Sequence, residues 1–308
     1  MNMQIRKKIS VLISTFVFLL LFCATSVTAH AAGTKEYLGT IFVNGTSALH
    51  AKIDLTGDGK ADRLDAWMTG RGWSGNSKFD GTLLLSVNGN KAQQIRLTDD
   101  TVIISYVALS KSVQMLRIQT SSSAYDSDDL WVKYNKSANK FKVVLNEKLG
   151  GLVHGLEKYR TVGDVTIINK NTMKIKYFIQ PYVTGPIYAE YIYVYSKGSL
   201  KRKSNTAVAT SMFYKSQGNL TVKWLQDGYQ KYFYGNKFVA AKQLTFYRSP
   251  GGKKYFSLKK NDIATLKGFY SKGKNSYLVF RYNNKKGYMK IGRNQLNSFY
   301  GVTRRYVN

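Results

Sequence analysis

Asp54-Leu-Thr-Gly-Asp-Gly-Lys-Ala-Asp-Arg-Leu-Asp65 is the stretch on which the reading of this chain turns. Before it, Leu49, Ala51, Ile53 and Leu55 alternate with His50, Lys52 and Asp54, and after it Leu64, Ala66 and Met68 alternate again. A period of two marks a strand that buries one face, so the stretch predicts a connection between two strands. Oxygen donors stand at its positions one, three, five, seven, nine and twelve: Asp54, Thr56, Asp58, Lys60 through its backbone carbonyl, Asp62 and Asp65. Gly59 occupies position six, where a sharp turn is needed. This is the spacing of a calcium loop. The chain carries 47 basic and 17 acidic residues yet places four of its acids here, and like charges so close call for a cation. Thr56 is neutral where Asp or Asn is usual, and Asp65 is shorter than the usual Glu. The expected dissociation constant is therefore of extracellular grade, on the order of 0.1 to 1 mM. The alternative is a solvated Gly-Asp-Gly turn that binds nothing.

An EF-hand would flank such a loop with helices, whereas this one lies between strands. The run Asp54 to Asp62 is similar to the Asp-x-(Asp/Asn/Thr)-Gly-Asp-Gly-x-x-Asp loops of FG-GAP and VCBS-type repeat proteins, in which the loop joins strands of a propeller blade. The resemblance covers these residues and occurs once in the chain. It implies calcium as a structural cofactor and a blade-like β domain around it.

The N-terminus reads as an export signal. Arg6, Lys7 and Lys8 precede an apolar run over residues 11–22, and Ala29-His30-Ala31 offers a small-x-small cleavage site. The run is too short to favour a spanning helix, so the expected mature chain starts near Ala32 and has no transmembrane segment. Cys23, the sole cysteine, lies inside the signal. Phe22 before it is not the small residue that a lipoprotein signal requires. A thiol-free mature chain suits secretion by a Gram-positive bacterium, because roughly 277 residues bury adequate cores without disulfides.

The formal net charge of the whole chain is +30. Basic residues are densest near 197–203 and 253–290 and are interleaved with tyrosines. A field of that size attracts polyanions of any kind. Export argues against nucleic acid as the partner and favours anionic cell-wall polymers, peptidoglycan or a membrane surface. The alternative is that the charge serves solubility.

From residue 36 to about 246 the sequence predicts strands almost throughout, with Gly and Asn punctuating runs rich in Val, Ile, Tyr and Thr. Three units align by their turns. The first has runs at 64–68, 82–87 and 92–97 with the turn Asn88-Gly89-Asn90. The second has runs at 113–118, 130–134 and 141–145 with a turn at 135–139. The third has runs at 173–179 and 187–195 and the turn Ser196-Lys197-Gly198. A period of about 50 to 60 residues is near the size of a propeller blade. The expected fold is all-β, with a blade-like (β-propeller-like) or sandwich domain over 32–243 after a signal peptide at 1–31.

Residues 244–308 hold five short strand candidates. Leu258-Lys-Lys-Asn-Asp262 and Gly287-Tyr-Met-Lys290 resemble the corresponding steps of a bacterial SH3-like domain. That resemblance implies a small barrel and binding of peptidoglycan peptides or cross-bridges. Tyr247, Tyr255, Tyr270 and Tyr277 are its candidate contacts, with barrel packing as the alternative role for each.

No enzymatic constellation stands out. His50 and His154 lack second ligands at helical or hairpin spacing, and no Gly-x-Ser-x-Gly elbow, phosphate loop or dinucleotide fingerprint follows a strand. Carboxylates among Asp126, Asp128, Asp129, Glu157, Asp164 and Glu190 would have to meet in space for glycoside hydrolysis. The expectation is a secreted, non-catalytic protein of the cell wall or surface with a structural calcium site. The second expectation is a calcium-dependent carbohydrate-acting hydrolase.

Overall fold

The computed structural model describes residues 33–43, 48–71, 80–97, 101–120, 129–147, 156–157, 163–181, 183–185, 187–211, 233–234, 236–272, 275–292 and 297–300. The expected signal at 1–31, His154, Asp126 and Asp128 lie outside them. No helix among the described residues is long and apolar enough to cross a membrane.

The first nine strands are β1 (Thr34–Phe42), β2 (Leu49–Ile53), β3 (Asp62–Arg71), β4 (Asp80–Val87), β5 (Gln93–Leu97), β6 (Thr101–Ser110), β7 (Val113–Thr120), β8 (Asp129–Asn135) and β9 (Lys140–Glu147). They form two antiparallel sheets, β2-β3-β4-β5 and β1-β6-β7-β8-β9. Both sheets match units expected from the turns. Asn88 and Gly89 have positive φ (55° and 77°), the conformation of a two-residue hairpin turn between β4 and β5.

The next strands are β10 (Leu156–Glu157), β11 (Asp164–Asn169), β12 (Thr172–Pro181), β13 (Ile187–Ser196), β14 (Ser199–Arg202), β15 (Thr206–Ser211), β16 (Phe233–Tyr234) and β17 (Lys237–Val239). After them come β18 (Leu244–Tyr247), β19 (Lys254–Leu258), β20 (Ile263–Lys272), β21 (Asn275–Tyr282) and β22 (Lys285–Lys290). All thirteen belong to one sheet whose main path is β10-β12-β13-β15-β20-β21-β22-β18-β19.

The middle sheet is covered on both faces, which explains why β7 is buried along its whole length. One face packs Ile104, Tyr106, Leu116, Ile118 and Val132 against Leu64, Ala66, Leu83 and Leu85 of the four-stranded sheet. The other packs Leu109, Met115, Trp131 and Val144 against Ile175, Tyr177, Tyr191 and Tyr193 of the large sheet. Each fully buried aliphatic or aromatic side chain of this kind contributes about 1.5–3 kcal/mol of transfer free energy. The result is an all-β stack of layers in the manner of blades or a sandwich.

Among the described residues no sheet closes on itself, so these strands of 244–308 do not form the closed SH3-like barrel expected. One side of β20 is taken by β21 and the other by β15 and β17, so β19 has no edge on which to close the ring. The large sheet thus runs across residues 243–244. Local packing still follows the sequence: a Cβ on Gly287 would stand 2.6 Å from Phe256 and 2.8 Å from Phe246. Glycine there permits the 4.9 Å stack of those two rings.

Candidate functional site

The 54–65 loop joins β2 to β3 as expected, with Ile53 opposite Asp62 and His50 opposite Asp65. Its shape is held by its own carboxylates. Asp54 accepts the N–H of Gly57 (2.6 Å) and of Gly59 (3.0 Å). Asp62 accepts from Leu55 N (3.0 Å), Thr56 N (3.1 Å) and the Asn88 side-chain amide (2.8 Å). The loop is also seated on the middle sheet, where the buried Tyr106 hydroxyl donates to the Asp54 carbonyl at 2.9 Å. Gly57 (φ +78°) lies so close to the turn after β6 that a Cβ would fall 2.0 Å from the Lys111 carbonyl. Positive φ and that approach both require glycine.

Asp58 reaches outward. It accepts Lys60 N and, at 3.0 Å, Lys136 Nζ from the β8–β9 hairpin. The Lys136 hydrogen bond, followed by that of Lys60 N–H, holds its carboxyl below the ordinary aspartate value. Asp65 does not join the others. Three positions beyond Asp62 on a strand it faces the opposite side, where His50 Nδ1 (2.6 Å) and Arg63 Nε (2.9 Å) engage it. Those contacts, His50 foremost, lower its pKa against the effect of burial.

Asp54, Thr56, Asp58, Asp62 and the Lys60 carbonyl have donor chemistry that fits calcium. A carboxylate offers about four acceptor directions, so these N–H bonds leave some free. The Thr56 hydroxyl is buried in the loop without a hydrogen-bond partner, near Asp58 but outside bonding geometry. The donors are not drawn into a ready cage: among the described residues no three acids or histidines are gathered as a metal group. Asp58 would have to release Lys136 to take part.

Beyond Lys136 opens a cleft of about 510 Å³ between the loop, the β8–β9 hairpin and the β13–β14 turn. Thr56, Lys133, Tyr134, Lys136, Lys142 and Tyr195 face it. Lys133 is half-buried, which lowers its pKa, and it has no acidic partner among the described residues. Lys142 is exposed beside Gly198. The cluster at 197–203 was legible as basic sequence, whereas the convergence of Lys133, Lys136 and Lys142 was missed. The signal available was their clustering within one short hairpin, where Lys133 and Lys142 are cross-strand partners.

A second group of acids lies between the middle and large sheets. Asp129 and Glu147 are directly opposite on β8 and β9. Arg117, 2 % exposed, grips Asp129 through Nε and a terminal nitrogen, both at 2.8 Å, and donates to the Gly163 carbonyl. Arg202 grips Glu147 in the same forked way and donates to the Ser271 carbonyl. Tyr177 donates to Asp129 (3.0 Å), Tyr193 donates to Glu147 (2.6 Å), and the two hydroxyls are 3.3 Å apart. Burial works against the Arg117 charge, but Asp129 outweighs it and raises the pKa. Burial first, and then the neighbouring carboxylates, keep both tyrosines protonated as donors. This chain of six groups is saturated and sealed.

The four candidate tyrosines separate. Tyr270 and Tyr277 are cross-strand partners with ring centroids 5.9 Å apart. Tyr288, absent from the expectation, adds an edge contact to Tyr270 at 6.2 Å and stands opposite Tyr247. Tyr255 lies apart, with the Arg248 guanidinium 4.9 Å from its ring. Tyr277 is buried, so its role is packing. A scan against protein-family models finds no match, and comparison with curated proteins and with solved structures likewise finds none.

Proposed function

We propose that this chain is a secreted, non-catalytic protein that binds anionic cell-wall polymers or peptidoglycan at the cell surface, with the 54–65 loop as a structural calcium site. The observation that carries the reading is the sorting of charge. Asp54, Asp62, Asp65, Asp129 and Glu147 are all less than a tenth exposed, while Arg117 is the only cation so deeply buried among the described residues. Acids turned inward and cations left outward make the surface more positive than the composition alone requires, and such a field concentrates polyanions.

The hydrolase reading needs two accessible carboxylates about 5 to 9 Å apart. Asp129 and Glu147 face each other but are closed off by Arg117, Arg202, Tyr177 and Tyr193. Their chemistry is structural.

Isolated Gram-positive walls test the proposal. The mature chain should be retained on them and elute as salt rises, because exposed charge is screened over about 10 Å at 0.1 M. Equal retention on neutral beads would sink it.

A further inference from the structure

We infer that the cleft between the acidic loop, the β8–β9 hairpin and the β13–β14 turn is a phosphate site, taking a dianionic phosphate group carried on a hydroxylated unit. This rests on the polyanion reading above and gives it a place. Lys133, Lys136 and Lys142 all line the cleft, and Lys133 and Lys142 stand directly opposite each other on β8 and β9. One of them is already matched, since Lys136 bonds Asp58. Lys133 and Lys142 are left without carboxylate partners among the described residues, so the cleft holds about two uncompensated positive charges. A phosphate monoester carries about −1.5 to −2 at pH 7, and a single carboxylate carries less. Lysine acts as a point-charge donor that suits phosphate without demanding the flat fork geometry of arginine.

Size points the same way. About 510 Å³ exceeds what one anion fills and lies within the range of small-molecule sites. The remaining wall offers groups suited to hydroxyls rather than to alkyl chains. Thr56 lines the loop side. Tyr195 lies half-buried on the opposite wall, and Asn135 and Ser137 lie at the hairpin tip. Lys133 is the informative residue: a cation that folding half removes from water without supplying an acid is costly to keep charged. An anion in the cleft would offset that cost.

Calorimetric titration of the mature chain with inorganic phosphate, glycerol phosphate and acetate at low salt tests the site. Phosphate should bind, glycerol phosphate more tightly because its carrier reaches the hydroxyl wall, and acetate at least tenfold more weakly. The pair Lys133→Gln/Lys142→Gln should lose at least tenfold in phosphate affinity. Lys142→Gln alone, at an exposed position, should lose at least threefold. Lys259→Gln/Lys260→Gln removes the same charge from another exposed turn and should stay within twofold of the parent. Equal losses in both pairs would overturn the site and assign binding to the diffuse field, leaving wall binding intact. No phosphate binding by any of the proteins would also overturn it. Failure of the broader reading is read separately, from walls against neutral beads.

Discussion

The 54–65 loop and the Asp129–Glu147 pair both gather carboxylates in a chain dominated by lysine, and they satisfy them by opposite means. In the loop, backbone N–H groups from the same dozen residues do most of the work, and one exposed lysine reaches Asp58 from outside. Between the sheets, the buried Arg117, the half-buried Arg202 and two buried tyrosines from distant parts of the chain saturate the pair. Local satisfaction leaves lone pairs and one exposed partner, which is what the proposed calcium site requires. Long-range satisfaction leaves nothing free, so the buried network ties β7, β8 and β9 to β12, β13 and β14.

The strongest way to break this contrast is to remove one member of the sealed network. Asp129→Ala leaves Arg117 charged and unpaired in the interior and should cost about 3–5 kcal/mol in denaturant unfolding. The double change Arg117→Met/Asp129→Leu should recover much of that, since neither charge is then stranded. A single-mutant loss below about 1 kcal/mol would mean that water reaches the network.

Calcium probes the loop with a smaller effect. At about 1 mM free calcium and a dissociation constant near 0.1 mM, linkage gives about 1.4 kcal/mol of stabilisation. Calorimetry with and without chelator should show it in the parent and in Lys60→Ala, where only the carbonyl is used. Asp65→Asn should keep it too, because Asp65 faces the other side of β3. Asp58→Ala should abolish it, and an unchanged response there would make the loop an ordinary acidic turn.

The smallest expected effect is on acid stability. Asp58 and Asp65 both have folded pKa values below the ordinary aspartate value. A lowered folded value means that their stabilisation is present above the unfolded pKa, about 3.9, and is lost as pH falls through the folded one. Lys136→Ala should therefore move the Asp58 titration upward, followed by NMR, with little change in melting temperature because the pair is exposed. An unmoved Asp58 titration would show that Lys60 N–H alone sets it.

The strands were legible because alternation is local. Residues 49–53, 64–68, 82–87 and 113–118 each declare one buried face, and their turns carry Asn or Gly where φ is positive. The position of the acidic loop followed from the same alternation. What alternation cannot carry is which sheet covers which face. Nothing near β7 announces that both its sides are buried, and Arg117 reads as a solvent-facing residue until Asp129 and Tyr177 arrive from elsewhere. The 244–308 segment misled for the same reason: its short strands suit a barrel, but the pairing of Thr206 with Tyr270 is decided sixty-odd positions apart. The orientation of Asp65 follows a simpler rule, since a loop that runs straight into a strand at Asp62 turns the residue three places on to the other face.

The open sheets have a consequence for how copies of this chain behave together. Unclosed sheets present strand edges, and such edges are templates for pairing with another molecule. Here they carry exposed cations: Lys35 on β1, Lys52 on β2, Arg96 on β5, Lys140 and Lys142 on β9, and Lys254 on β19. Charge placed there keeps one molecule from zipping onto the next. Broad neutralisation of the surface would therefore do more than weaken the proposed attraction to polyanions; it would expose the sheet edges to one another and favour self-association.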